Sequence, residues 1–368
     1  MPDHDLQPPP VTARLTYLSE TDKGAIYEAA LEIMETVGQR VHHPEALELL
    51  RAAGCTVTEP DLVCIPRELA EQARATAPAM IEVYDRTGAP AMSLGGYNAY
   101  FGNGSAVTSV YDLDTGEHRP TALSDGVEAA RLCDALPMID FVMAYAHPGG
   151  GDPHIALLES FRAMVANTTK PLVVVAENAA DLEVMWRIAG ELRGGADELR
   201  AKPYFTLYVE PTSPLRHPVE SVDKLMLCAD WGVPAVYSTS PLAGGTAPIT
   251  VAGHIAQGTA ESLFGLVIHQ LRRPGAPFIF GIGPAVLDMA TSQSSYNAPE
   301  YLMGYLCAIE MARWLDLPNW GYAGTSDAQV IDAQAGMEAA ELTFLSLAAG
   351  SNLNHDIGYI DYGMTASL

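Results

Sequence analysis

Pro234-Ala235-Val236-Tyr237-Ser238, then Ser240-Pro241-Leu242-Ala243-Gly244-Gly245-Thr246-Ala247-Pro248, then residues 249–273 with helical periodicity: in that order the three pieces read as a buried strand, a loop and a long helix. The loop therefore follows the C-terminal end of a strand, which is where repeated βα folds place their chemistry. Its two glycines permit close backbone approach, and Pro241 and Pro248 stiffen it on either side. A plain βα connection built of turn residues has the same composition.

Working outward, the same unit recurs. Short apolar runs stand at 98–101, 139–145, 172–176, 204–209, 235–238, 278–282, 320–323 and 352–356, and helical segments follow at 124–135, 155–167, 181–192, 219–231, 249–271, 298–315 and 333–349. Eight strands with seven helices between them predict an α/β fold, a (β/α)8 TIM barrel. Its last helix should begin near Thr365 and Ser367, where the sequence stops, so the C-terminal helix and cap are expected to be missing. An open dinucleotide-binding sheet repeats the same units. However, the nearest glycine turn, Phe101-Gly102-Asn103-Gly104-Ser105, lacks both the third glycine and a following helix.

Upstream, residues 1–14 read as a disordered lead and 15–95 as an N-terminal helical cap with a small sheet, leaving 96–368 for the barrel. Ser19 is the expected N-cap of a helix over 20–37, followed by helices at 45–53 and 66–76. Residues 81–84 and 91–94, joined by Asp85-Arg86-Thr87-Gly88, predict a β-hairpin. His42 and His43 stand at a helix entry, where capping or surface roles outweigh metal binding.

Charged residues are 18% of the chain and hydrophobic ones 48%, with a formal net charge of −25. That balance disfavours nucleic acid and anionic membranes and suits cationic ligands, although solubility alone also explains it. The five cysteines are scattered without a Cys-x-x-Cys pair, so neither a disulfide scaffold nor a structural zinc site is expected. With no apolar signal core near Met1 and no run long enough to span a bilayer, the reading is a soluble cytoplasmic protein.

A barrel brings its strand ends to one mouth. Here those ends supply Glu177, Glu210, Asp327, His147, His355 and Asp356, many glycines and hydroxyls, and tyrosines that include Tyr100, Tyr145, Tyr208, Tyr237, Tyr296, Tyr322 and Tyr359. Tyrosines at strand ends also serve as core, and a rim histidine such as His355 is either a hydrogen-bonded structural group or part of an active site. Cys133, Cys228 and Cys307 fall within helices, which leaves only oxygen and nitrogen ligands for any metal at the mouth.

The opening loop, Ser295-Tyr296-Asn297-Ala298-Pro299-Glu300, Gly324-Thr325-Ser326-Asp327-Ala328, Asp332-Ala333-Gln334-Ala335-Gly336 and Asn354-His355-Asp356-Ile357-Gly358-Tyr359 occur in an order that closely resembles the trimethylamine methyltransferase family. Further matching blocks are Arg40-Val41-His42-His43-Pro44-Glu45, Leu113-Asp114-Thr115-Gly116-Glu117, Asn167-Thr168-Thr169-Lys170-Pro171 and Pro211-Thr212-Ser213-Pro214-Leu215-Arg216-His217. The resemblance spans residues 15–368. It implies a TIM barrel that moves a methyl group from a tertiary or quaternary amine to the Co(I) of a corrinoid (cobalamin) carried on a separate corrinoid protein, with no metal on this chain.

Two departures are visible. Members acting on trimethylamine carry pyrrolysine at the mouth, a column expected within 322–329, and this sequence has none. The resemblance is thus to the branch acting on glycine betaine and similar quaternary amines. Family members also continue past the equivalent of Leu368.

On this resemblance His355, Asp327 and Asn354 are the candidate catalytic residues. Tyr97, Tyr208, Glu210, Tyr237 and Tyr296 form the candidate amine cage, and Gly244, Gly245, Thr246, Gly281 and Gly283 leave room for the corrinoid. A metal-dependent barrel lyase or hydrolase and a non-catalytic quaternary-amine binding protein are the competing readings. A homo-oligomer is compatible with the sequence.

Overall fold

The computed structural model describes residues 14–367 apart from Glu59, Ser105 and Gly150; the expected disordered lead lies outside them but for Arg14. Eight parallel strands occur where the repeat places them: β1 (Tyr100–Asn103), β2 (Val142–Met143), β3 (Leu172–Val174), β4 (Phe205–Val209), β5 (Ala235–Thr239), β6 (Phe278–Ile282), β7 (Trp320–Tyr322) and β8 (Leu353–Ile357). Strands β2 to β6 pair in chain order as one sheet, and β7, β8 and β1 pair as another. Single parallel bridges, Gly102 to Phe141 and Phe280 to Asn319, tie the two sheets together at both seams.

The helices are α1 (Glu20–Glu32), α2 (Pro44–Ala52), α3 (Arg67–Thr76), α4 (Leu123–Ala135), α5 (Ala156–Asn167), α6 (Ala179–Arg193), α7 (Ala196–Ala201), α8 (Val219–Trp231), α9 (Val251–Arg272), α10 (Pro299–Trp314) and α11 (Ala333–Ala349). Helices α4 to α11 connect successive parallel strands. Their ends follow local chemistry: Asn178 and Asp332 accept from backbone N–H groups at the starts of α6 and α11, and Gly194, Gly232 and Gly350 close α6, α8 and α11 in the left-handed conformation.

Strand alternation sorts the side chains into two layers. Phe141, Met143, Val173, Val236, Ile279, Trp320 and Leu353 pack with each other inside the strands, and Ile81, Val83, Met92 and Leu94 of the expected hairpin join them. The hairpin thereby closes the end of the sheet away from the strand C-termini. Leu207, Val209, Ala235, Tyr237, Phe278 and Phe280 face the helices instead.

Helix α9 is buried without interruption from His254 to Gln270, because α1, α2, α3, α8 and α10 all lie against it. That explains its apolar, small-residue composition all round. The N-terminal helices therefore form a layer beside α9. The segment Gln39–Val41 anchors them by pairing parallel with Arg216–His217 and antiparallel with Leu62–Cys64.

Ser19 caps α1 reciprocally with Asp22, and His43 Nδ1 accepts from Ala46 N at 3.2 Å, so the second of the paired histidines is a helix cap. The helix expected to begin near Thr365 and Ser367 is a strand there. Thr365–Ala366 pairs parallel with Ser109–Tyr111 and antiparallel with Tyr359–Ile360, and backbone partners on both sides hold it extended. Among the described residues no helix is long and apolar enough to cross a membrane.

Candidate active site

At the C-terminal ends of the parallel strands lies a polar cavity of about 250 Å³, lined by Tyr208, Glu210, Ser240, Tyr296, Tyr322, His355, Asp356, Tyr359 and Gly363. Tyr208 and Glu210 stand two apart on and just beyond β4, so the strand period turns both inward. Tyr322 and His355 face the cavity from neighbouring strands β7 and β8, with ring centroids 4.8 Å apart. Beneath them Trp320 forms the floor, its ring 4.2 Å from that of His355 and 5.1 Å from that of Tyr208.

The acidic end of the cavity is built around Glu210. Its carboxylate accepts from the Tyr208 hydroxyl and, at 3.1 Å, from Ser240 Oγ. Ser221 Oγ of α8 donates to its backbone carbonyl. The Glu210 side chain opens onto the cavity and is enclosed by protein around it. This enclosure raises its carboxyl above the usual range, and the hydrogen bonds from Tyr208 and Ser240 moderate the rise. Burial likewise raises the phenols of Tyr208, Tyr296, Tyr322 and Tyr359, with the Glu210 or Asp356 charge adding to each. All four therefore stay neutral at physiological pH.

His355 Nδ1 donates to the Gly321 carbonyl at 2.8 Å, which turns Nε2 toward Asp356 Oδ1 at 3.2 Å. Burial pushes the imidazole down to about 4, against the opposing pull of the Gly321 carbonyl and Glu210. Asp356 reaches the cavity through an irregularity: the β8 register against β1 shifts between Asn354 and Ile357, and Asp356 has φ +78°.

The structure thus brings Tyr208, Glu210, Tyr296 and His355 together and places the other candidates elsewhere. Tyr237 points the opposite way from Val236, into the helical layer, where its hydroxyl meets His217 Nδ1 at 2.7 Å. Gln39 Nε2 donates to Ala260 O, so Gln39 Oε1 must accept from His217 Nε2, and Tyr237 is left as the donor to Nδ1. Tyr97 lies before β1 at the other end of the strands, between the guanidinium groups of Arg14 and Arg313, 3.4 and 3.6 Å from its ring centre. Asn354 is the neighbour of His355 in an extended strand and so faces away, its amide donating to Tyr100 O and Ser351 O.

Asp327 does not line the cavity. Its carboxylate accepts from Ser295 Oγ and from the N–H groups of Tyr296 and Asn297, which makes it the residue that positions Tyr296. The glycine set divides. Gly244, Gly245 and Thr246 form a tight turn beyond Ser240, closed by three N–H groups on the Leu242 carbonyl and tied to α9 through His254 and Gln257. Gly281 and Gly283 belong to the packed wall: a side chain on Gly281 would strike Ser238, and one on Gly283 would meet the Tyr322 hydroxyl at 2.4 Å.

Tyr322, Tyr359, Ser240 and Asp356 also line the cavity; the sequence placed Tyr322, Tyr359 and Asp356 at strand ends and Ser240 in the loop after β5, but assigned none of them a role in the site. Tyr322 shares its inward parity with Trp320, and that is a signal the sequence carries. Tyr359 arrives on the strand Tyr359–Ile360 and Asp356 on the bulge of β8. Neither departure from strand regularity has a sequence mark strong enough to find it. Among the described residues no group of three or more His, Cys, Asp or Glu side chains is arranged to hold a metal ion.

The parallel α/β frame has a known counterpart in a methylamine methyltransferase. The fold is similar to that of the Methanosarcina barkeri monomethylamine methyltransferase (MtmB), with a TM-score of 0.61 at 11% identity over 97% of this chain and 78% of that one. The family model described as Trimethylamine methyltransferase (MTTB) matches residues 6–368, and the chain belongs to that family. The trimethylamine methyltransferase MttB of Desulfitobacterium hafniense (strain DSM 10664 / DCB-2) is 30% identical over 352 residues, 95% of this chain and 71% of that protein. The glycine betaine methyltransferase of Desulfitobacterium hafniense (strain Y51) is 28% identical over 352 residues, again 95% of this chain and 73% of its own length.

Proposed function

We propose that this chain is a methyltransferase on a (β/α)8 barrel, taking a methyl group from a small quaternary amine and passing it to a corrinoid presented by a partner protein. The observation that carries the reading is the cavity itself: four neutral tyrosines from four separate segments surround a carboxylate, Glu210. A cation over a tyrosine face gains about 0.5 to 2 kcal/mol, and a nearby carboxylate adds charge attraction. The barrel reading is supported by the bridges at both seams of the parallel strands.

When a quaternary nitrogen loses a methyl group, the C–N bonding pair stays on nitrogen and a neutral amine departs. No proton is required, and His355, held down to about 4, keeps none to give at neutral pH. The work of this chain is to hold the cation, orient one methyl toward the mouth and exclude water. The corrinoid supplies the nucleophile that accepts the methyl group. Ser240 and Gly363 line the cavity, and beyond Ser240 the self-bonded Gly244 to Thr246 turn presents only small residues. A flat macrocycle fits against such a surface.

Purified protein mixed with cob(I)alamin and a panel of N-methylated amines should convert the corrinoid to its methylated spectrum with at least one of them. Activity that instead depends on a stoichiometric divalent ion would overturn the reading in favour of a metal-dependent lyase or hydrolase. Amine binding without any methyl transfer, in the presence of the partner, would mark a binding protein.

A further inference from the structure

The cavity has a charge pattern that discriminates among quaternary amines. None of the chain's 20 lysines and arginines lines it, and every one of them lies in the described part of the chain. The one lining imidazole, His355, is held neutral by its burial and brings no positive charge. The carboxylates of Glu210 and Asp356 thus remain as the charged groups of the lining, and the net charge they bring is negative.

A betaine carries its own carboxylate a few atoms from the ammonium group. With the ammonium group held beside Glu210 in a cavity of about 250 Å³, that short connection keeps the carboxylate close to Glu210 as well. It would find hydroxyl groups there, but some of these are already engaged: Tyr208 and Ser240 donate to Glu210, and Tyr359 donates to Tyr145 O at 3.2 Å. Desolvating a second carboxylate beside the first, with no cation to pair it, opposes binding.

We infer that the substrate is a small quaternary ammonium ion with no carboxylate of its own, a tetraalkylammonium or choline-like cation, and that Glu210 is the specificity-determining residue that selects it over betaines. The inference rests on the reading of this cavity as the amine site. It departs from what the likeness to a glycine betaine methyltransferase would suggest, because a lining with carboxylates and no lysine or arginine matches a cation and not a zwitterion.

Choline and glycine betaine make the sharpest pair, sharing a trimethylammonium head and differing in a hydroxymethyl group against a carboxylate. Calorimetric titration of the wild-type chain with choline, tetramethylammonium and glycine betaine should show the two cations binding on the order of tenfold or more tighter than the betaine. Because Glu210 is raised, this preference should widen as pH rises through its titration and the carboxylate becomes fully charged. Glu210→Gln should lose cation affinity and flatten that pH dependence while leaving betaine binding unchanged or improved. Glycine betaine binding as tightly as choline in the wild-type protein would overturn the inference and leave the amine reading standing. If none of the three binds, both fall, and the wild-type titrations decide this even if the variant does not fold.

Discussion

The two tyrosines that the sequence put in one cage, Tyr208 and Tyr237, lie on adjacent strands with opposite orientation, and the difference is one residue of register. Tyr208 pairs with Val236 across β4 and β5, so Tyr237, the next residue along, must face the helices. The same parity separates His355 from Asn354. It could have been applied from the sequence once Glu210 was taken as inward, since Tyr208 is two residues before it, whereas no such anchor existed for β5. Two substitutions test the assignment. Tyr237→Phe removes the donor to a buried His217 nitrogen and should cost about 1 to 2 kcal/mol in urea unfolding with amine affinity unchanged. Tyr296→Leu removes one face of the cavity and should weaken amine binding several-fold, about 0.5 to 2 kcal/mol, with little effect on stability. The reverse pattern would return Tyr237 to the cage.

At the scale of elements, helix and strand positions were legible because the βα repeat imposes two periods, and the eight strands fall where the apolar runs lie. The chain beyond the strand ends was not legible. Ser109–Tyr111, His118–Pro120, Tyr359–Ile360 and Thr365–Ala366 form a four-stranded sheet whose members are two or three residues long, too short to show alternation, and whose partners are far apart in sequence. Since that sheet carries Tyr359, one wall of the cavity was hidden with it. The contact between α9 and β5 was hidden for another reason: its specificity lies in a missing side chain. A Cβ on Gly265 would approach the Tyr237 ring to 2.3 Å, so the helix sits directly on the strand. Gly265→Ala should therefore destabilise the fold by about 1 to 3 kcal/mol through overpacking, despite alanine's better helix propensity. A rise in Tm for this variant would show that the contact is loose.

For the molecule as a whole, buried ionisable groups tie stability to pH in two opposing ways. Burial holds His217 and His269 down to about 3 and His355 to about 4, from an ordinary value of 6.5. Each is neutral in the folded chain and takes up a proton on unfolding, so each contributes stability that is complete above about pH 6.5 and is lost as pH falls toward the folded value. Glu261 and Glu210 are raised by burial, and they contribute with the opposite sign, losing stability as pH rises through their folded values. Because these slopes partly cancel, the wild-type curve alone separates nothing, and the informative quantity is a difference between two chains. His269 suits that comparison: it is fully buried against Phe278, its Nε2 has no partner, and it is remote from the cavity residues. His269→Leu removes one imidazole that must be protonated on unfolding. Relative to wild type, the variant should gain about 1.4 kcal/mol per pH unit as pH is lowered from about 6 to 4, whatever its stability at neutral pH. Parallel stability curves for the two proteins across that range, measured by urea unfolding, would mean that His269 is protonated in the fold and that the carboxylates around the core, not the histidines, govern its acid sensitivity.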